Sequence, residues 1–409
     1  MVRPTRAIVD LGAIEANLRA IVRFLAEARG PDSEARGPSS EVRKENSHSP
    51  NELRSSRLGP RTSDLGPRVI AVVKANAYGH GASEVGLALE RAGAQILACA
   101  DIEEGIVLRK AGVRIPILVF GALGISDLHG VFEHDLTPTI STPSAAVALA
   151  VAARNHDRPL HCHLKIDTGM NRLGFRHDNL ERTLPEIAAS PHLVIDAVYT
   201  HFATADEPEH LAFAKQRERF ENACETIEAF GIHPRWRHAA NSAALLRDER
   251  VWYDFVRPGL LLYGIVPPPL SSTLALRPAL SLHSRIVHVK GIRAGEGTGY
   301  GLRTVVDRPS TIAVVPAGYA DGLDLRLAGR GYMLVRGRRV PIVGSVCMDM
   351  TTIDVTGMDV STGDEVVIVG EQGSESISVR EIAAAIGTIP YELLCRVGTR
   401  IERIYSPQS

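Results

Sequence analysis

Residues 69–81 read V-I-A-V-V-K-A-N-A-Y-G-H-G, and the lysine in this run has the most chemistry to offer. The five apolar residues before it, mostly β-branched, predict a buried strand, so Lys74 stands where that strand ends. Asn76, Gly79 and Gly81 then turn the chain into a loop, which puts Lys74 and Tyr78 at the mouth of whatever sheet the strand joins. A lysine that is partly desolvated there loses some of its preference for the charged form, which makes it a candidate Schiff-base nucleophile. The competing reading is a solvated strand-end lysine beside an ordinary turn.

Further polar residues follow apolar runs in the same way. Lys165, Asp167 and Arg172 lie in L-K-I-D-T-G-M-N-R, His201 in T-H-F, Asn241 and Ser242 in A-A-N-S-A, and Arg257 and Gly259 in V-R-P-G-L. Taken singly, Ser242 reads as a helix N-cap, Gly259 as a tight bend and Arg257 as an ion-pair partner. His161 and His163 in H-C-H share one strand face, but two ligands without a nearby third make a weak metal site, and no metal is expected.

The elements that must position these residues alternate. Strand candidates at 69–74, 96–100, 116–120, 136–140, 160–166, 194–200, 235–240 and 256–263 are separated by segments of helical pattern. Eight such strands predict a (β/α)8 TIM-like barrel over residues 11–270, with a doubly wound open sheet as the alternative. A barrel places its active site at the C-terminal ends of the strands, and Lys74, Lys165, Arg172, His201, Asn241, Ser242, Arg257 and Gly259 all fall at that rim. Loops after the seventh and eighth strands are the usual phosphate site, through backbone N–H groups and small side chains.

Ahead of the first barrel strand, residues 6–11 predict a short strand, and 11–28 predict a helix with Ile14, Leu18, Ile21, Val22 and Leu25 on its apolar face. Residues 29–67 are rich in Gly, Pro, Ser, Arg and Glu without an aromatic, and are expected to be a disordered insertion. From 271 to 409 the texture is β-rich, with segments at 280–289, 311–315, 332–343, 351–355 and 365–369. Arg336-Gly337 predicts a hairpin turn and Ser378 to Glu381 a helix capping box.

With 46 basic and 47 acidic side chains in 409 residues, the net charge is -1, which argues against nucleic acid or an anionic membrane as partner. No apolar run reaches bilayer length, and a cytoplasmic location is expected. The five cysteines form no C-x-x-C pair and are expected to be reduced.

K-A-N-A-Y-G-H-G as a unit resembles the pyridoxal-phosphate attachment segment of the alanine racemase family. The blocks L-K-I-D-T-G-M-N-R-L-G-F, T-H-F, N-S-A-A, R-P-G, G-T-G-Y-G, A-G-Y-A-D-G and G-S-V-C-M-D-M are similar to that family's and occur in its order. The resemblance implies pyridoxal 5'-phosphate carried on Lys74, with its phosphate held by Tyr78, Ser242 and the backbone at Gly259 and Leu260, beside Asn241. It implies that Arg257 meets the pyridine nitrogen and keeps it unprotonated, a weak electron sink that favours racemisation. Arg172 would contact cofactor and substrate carboxylate, oriented by Lys165, which is often carbamylated in the family.

Racemisation asks for a base on each face of the α-carbon, and the resemblance assigns these to Lys74 and Tyr300. Tyr300 would come from the other subunit of a homodimer and be hydrogen-bonded by His201. Tyr319 would line the substrate's access path, and Met348, with Asp349 beside it, would bind the substrate carboxylate, all from the partner. The first strand would pair with the β-rich domain. The implied reaction interconverts L-alanine and D-alanine for peptidoglycan precursors. A racemase of broader specificity and a non-catalytic pyridoxal-phosphate carrier are the alternatives, the second leaving the β-rich domain unexplained. The clearest departure from the family is at the C terminus, where Thr399 stands at a position that is a phosphate-binding tyrosine in some members and the common R-V-P-R is R-I-E-R, changes that bear on phosphate affinity or the support of Tyr300 and not on the reaction class.

Overall fold

The computed structural model describes residues 3–28, 68–121, 123, 128–302 and 304–406; the segment 29–67 lies outside them. Strand β1 (Arg6–Asp10) leads into helix α1 (Leu11–Glu27), whose first turn is capped by the Asp10 carboxylate accepting from Ala13 N–H at 2.8 Å. Ile14, Leu18, Ile21 and Leu25 are buried along one face of α1, and each contributes roughly 1.5–3 kcal/mol by leaving water. Val22, expected on that face, is instead 48% exposed, because the stripe has already turned away from it.

Eight parallel strands follow: β2 (Arg68–Val72), β3 (Ile96–Cys99), β4 (Ile117–Val119), β5 (Thr137–Ile140), β6 (Leu160–Asp167), β7 (Leu193–Tyr199), β8 (Trp236–Asn241) and β9 (Phe255–Arg257). They pair in the order β5-β4-β3-β2-β9-β8-β7-β6, and β5 then pairs with β6 through Thr139↔His163 and Ile140↔Leu164. That last pairing closes the ring, so the sheet is a barrel and not an open one. Helices α2 (Ala82–Arg91), α3 (Ile102–Ala111), α4 (Pro143–Asn155), α5 (Ala212–Ala229) and α6 (Ser242–Arg247) return the chain along the outside. The eighth strand is shorter than expected: Pro258 has no N–H to continue the ladder, and Leu260–Tyr263 wind into a 3-10 turn ended by Gly264 at φ 80°. Helix α1 packs on that turn and on α2, filling the outer position that the last strand lacks.

The second sheet contains β10 (Leu280–Arg285), β11 (His288–Ile292), β12 (Ser310–Val315), β13 (Tyr332–Val335), β14 (Arg338–Val343), β15 (Thr351–Asp354), β16 (Glu365–Gln372) and β17 (Glu402–Ser406). Its order is β11-β12-β15-β14-β13-β16-β10-β1-β17, so the first strand lies between β10, antiparallel, and β17, parallel. Arg336 and Gly337 both take positive φ, 48° and 70°, which matches the hairpin to the strand twist. Ser378 Oγ accepts from Glu381 N–H at 3.1 Å, but the Glu381 carboxylate pairs with Arg339, so only half of the expected capping box is made. Helices α7 (Val379–Ile386) and α8 (Pro390–Cys395) bring the chain back over the barrel rim. Among the described residues, no helix is long and apolar enough to cross a membrane.

Candidate active site

The turn that begins at Lys74 is wound the wrong way. Ala75, Asn76, Ala77 and Tyr78 all have φ between 52° and 54°, a left-handed turn that costs roughly 1–2 kcal/mol per residue outside glycine. Such strain persists only where the surroundings over-determine it. Glu104, in the first turn of α3, accepts from Ala75 N–H at 2.6 Å and from Ala100 N–H at 2.8 Å. Asn76 Oδ1 accepts from Ala82 N–H at 2.8 Å, and His80 Nδ1 lies 3.0 Å from the carbonyls of both Ala77 and Tyr78. Arg403 donates to Gly79 O at 3.0 Å, and a Cβ on Gly79 would meet Leu394 O at 2.2 Å. The clamp comes from four separate elements, and its effect is to aim Lys74 and Tyr78 into one cleft.

That cleft, about 300 Å³, opens at the C-terminal rim of the barrel. It is lined by Lys74, Tyr78, Lys165, Arg172, His201, Asn241, Ser242, Arg257 and Gly259, nine of the expected residues, together with Tyr199 and Tyr391. Leu260 is buried directly behind Gly259. Four lysine and arginine side chains and no carboxylate are among the described lining residues, so these walls focus positive potential on whatever occupies the space. Burial first, then Arg172, lowers the Lys74 pKa, which favours the neutral amine. Burial, Arg257 and Arg172 bring Lys165 down to about 8, and its Nζ lies 5.4 Å over the Tyr199 ring.

Arg257 is the hub. It is 3% exposed, and its guanidinium donates to Thr200 O at 2.7 Å and Ala239 O at 2.8 Å. It also lies 2.8 Å from His238 Nδ1 and 3.3 Å from His201 Nδ1. Burial lowers its pKa to about 10, which leaves it charged at neutral pH. Because arginine can only donate, both histidines must accept on Nδ1, and each carries its proton on Nε2. Burial, reinforced by Arg257, holds both rings well below the usual histidine range, so they are neutral.

One end of the cleft is a close-packed group of hydroxyls. A Cβ on Gly259 would sit 2.5 Å from the Tyr78 hydroxyl, so only glycine fits there. Gly259 N–H donates to Ser242 Oγ at 2.9 Å, leaving the Ser242 hydroxyl proton for another acceptor. The helix cap is Asn241, not Ser242: Asn241 Oδ1 accepts from Ala244 N–H at 2.9 Å. Tyr391, at the start of α8, completes this end, with its ring 5.9 Å from that of Tyr78. Thr399, the position expected to carry a phosphate-binding group, is exposed and outside the lining, while Glu402 of R-I-E-R is exposed on β17. The departures therefore fall away from the cleft. Tyr391 and Glu104 are the residues that sequence reasoning missed; Tyr391 heads the same C-terminal block, and Glu104 opens the helix after a rim-ending strand.

The remaining expected residues stand elsewhere. Tyr300 is 78% exposed, Tyr319 43% and Met348 52%, and none lines the cleft of its own chain. They share one face of the β-rich domain: Ser345 Oγ donates to Tyr300 O, Tyr319 N–H to Cys347 O and Ala320 N–H to Met348 O. Asp349 pairs with Arg400 at 2.8 Å, and Arg400 also grips Asp321. His163 and His161 part company, His163 facing His238 at 3.0 Å and His161 pairing with Asp196 at 2.8 Å.

Residues 56–267 match the family described as "Alanine racemase, N-terminal domain" and residues 279–405 match "Alanine racemase, C-terminal domain". The chain is 44% identical over 339 residues to the alanine racemase of Carboxydothermus hydrogenoformans, covering 82% of this chain and 91% of that one. It superposes on the crystal structure of alanine racemase from D-cycloserine-producing Streptomyces lavendulae with a TM-score of 0.87 and 32% identity, covering 100% and 98% of the two chains. The Bartonella henselae alanine racemase, crystallised with covalently bound pyridoxal phosphate, aligns over 98% of this chain and 99% of that one, with a TM-score of 0.80 and 25% identity. With both halves of the chain matched in order and on one fold, the chain belongs to the alanine racemase family.

Proposed function

We infer that this chain interconverts L-alanine and D-alanine with pyridoxal 5'-phosphate held in the rim cleft, and that it does so as a homodimer. The observation that carries this reading is a desolvated lysine facing a cleft whose described lining is cations and hydroxyls without a carboxylate, in a chain of this family. That donor set suits a ligand with a phosphate at one end and a phenolate oxygen along its edge: Tyr78, Ser242, Tyr391 and the backbone at Gly259 and Leu260 for the first, the Gly259 N–H being shared with or released from Ser242 Oγ, and Arg172 for the second. When bound, the cofactor supplies the electron sink that acidifies the α-C–H of an amino acid joined to it.

Lys74 bonds the cofactor and moves the α-proton on one face, its depressed basicity leaving the amine free to accept. Arg257, which stays charged, would meet the ring nitrogen of the bound cofactor and disfavour its protonation, a weaker electron sink that suits racemisation over transamination. Arg172 orients the substrate carboxylate. Lys165, with a pKa near 8, offers enough neutral amine near neutral pH to take up carbon dioxide, and as a carbamate would hold Arg172 in place. His201, with its proton on Nε2, donates into the cleft and so stabilises a phenolate there. Tyr300 of a second copy is the phenol we assign to that place, as the base for the opposite face. Tyr319 and Met348, with Asp349 held by Arg400, line the same surface and would meet the substrate from the partner. An exposed face carrying Tyr300, Leu302, Val305, Met348 and Met350 is costly in water and suits burial against a second chain. D-alanine so made would feed peptidoglycan precursors.

Incubation with L-alanine in D2O, following α-proton loss and D-alanine together, tests the reaction. Deuterium entering both enantiomers as D-alanine accumulates is the expected result. Retention of the α-proton, by protein holding the cofactor on Lys74, would overturn it in favour of a non-catalytic carrier.

A further inference from the structure

His163 has no part in the chemistry above, yet it meets His238, which is bonded to the Arg257 guanidinium that does. His161, His163 and Lys165 alternate along β6 and so share one face of the strand. Lys165 reaches the cleft, whereas His163, one layer below and 3% exposed, meets His238 of β8. The middle layer of a barrel is ordinarily packed with branched apolar side chains. Here two imidazoles occupy it, with the Tyr199 ring stacked on His238 at 4.6 Å and 12° and tied by its hydroxyl to Thr139 at 3.0 Å.

The hydrogen bonds of this layer run in one direction. Arg257 can only donate, so His238 Nδ1 accepts at 2.8 Å and the ring proton sits on Nε2. His238 Nε2–H then donates to His163 Nδ1 at 3.0 Å, which puts the His163 proton on Nε2 as well. We propose that His163 is a positioning residue for the reaction: by accepting from His238 it fixes that ring in the Nε2–H tautomer, and through it holds the Arg257 guanidinium in place at the cleft. This rests on the reading of Arg257 as the partner of the cofactor ring nitrogen. Without an acceptor at 163, His238 either leaves a buried N–H unpaired or turns that N–H toward Arg257, where donor would face donor. A core-filling role for His163 asks only for volume; the tautomer role asks for an acceptor atom at Nδ1.

The test compares His163→Leu, which keeps bulk and loses the acceptor, with His163→Asn, whose amide oxygen can stand in for Nδ1. In cofactor-free protein labelled with 15N-histidine, wild type should show His238 with Nε2 protonated and Nδ1 bare, as should His163→Asn. His163→Leu should show a mixed or rotated His238 ring. In the loaded enzyme, His163→Leu should lower kcat about tenfold with KM nearly unchanged and raise the share of turnovers lost to transamination, and His163→Asn should restore most of both. A His238 proton on Nδ1 in the wild type overturns the proposal, even if His163→Leu does not fold. So does a His163→Leu protein with wild-type tautomer and wild-type partition. Failure of wild-type protein to racemise alanine would instead strike the function and leave the tautomer chain standing.

Discussion

The barrel rim and the outer face of the β-rich domain carry the two halves of the proposed site in opposite physical states. At the rim, Arg257, Lys165 and Tyr78 are 3%, 6% and 5% exposed, and the turn behind Lys74 is strained and clamped. On the β-rich face, Tyr300, Tyr319 and Met348 are between 43% and 78% exposed. On the proposed reading, the contrast separates a half organised by folding from a half that association would complete. Burying several cations costs free energy, and only the barrel's closed core can hold them in fixed directions. A phenol that is to arrive from another molecule has to stay on the surface until it does.

The sharpest way to break this comparison is to disable one half at a time. Lys74→Ala and Tyr300→Phe should each lower racemisation by about 10³-fold or more, through loss of a proton-transfer group and, for Lys74, of the cofactor bond. An equimolar mixture of the two variants, with subunits exchanged, should regain about a quarter of wild-type activity, because half the dimers are mixed and each of those has one of its two sites intact. A mixture no more active than its components would mean that Tyr300 serves its own chain's cleft or none.

A second experiment weighs the desolvation at the rim. The folded-state pKa of Lys165, about 8, lies below its ordinary value of 10.5. Below pH 8 both states carry the proton, so the folded protein bears the full cost of a buried cation. Between pH 8 and 10.5 the unfolded chain binds the extra proton, and stability rises with pH. In cofactor-free protein, Lys165→Met should therefore add up to about 3 kcal/mol at pH 7, with the gain fading toward pH 10.5. Denaturant unfolding of both proteins across that range measures it, and a gain that does not change with pH would contradict the assignment to Lys165.

The smallest effects separate two C-terminal positions. Tyr391→Phe removes one hydroxyl from the anion end of the cleft and should weaken pyridoxal phosphate binding about fivefold, near 1 kcal/mol. Thr399→Ala should leave it within about twofold, since Thr399 is exposed and away from the cleft. Equal losses in both variants would place Thr399 at the anion end of the cleft with Tyr391. Titration of cofactor-free protein, followed by absorbance, reads both.

Much of this molecule was legible before its structure. Alternation of apolar runs with helical segments is local information, and it located the eight barrel strands to within a few residues, failing chiefly where Pro258 cut the last one short. Strand-end position alone put Lys74, Lys165, His201, Asn241 and Arg257 on one rim, because a parallel barrel has only one C-terminal face. What sequence could not give was anything that depends on elements distant in the chain meeting. The left-handed turn at 75–78 is no preference of Ala-Asn-Ala-Tyr; beside the local bonds of Asn76 and His80, it exists because Glu104, Arg403 and the Leu394 backbone converge on it. Tyr391 reaches the cleft, and Thr399 misses it, because α8 is laid across the rim. The direction of the hydrogen bonds from Arg257 through His238 to His163 follows from three strands closing around one layer. Residue types and local spacing determined which chemistry this chain could hold, and barrel closure decided which atoms face one another, because hydrogen-bond direction and desolvation exist only between groups that folding has brought together.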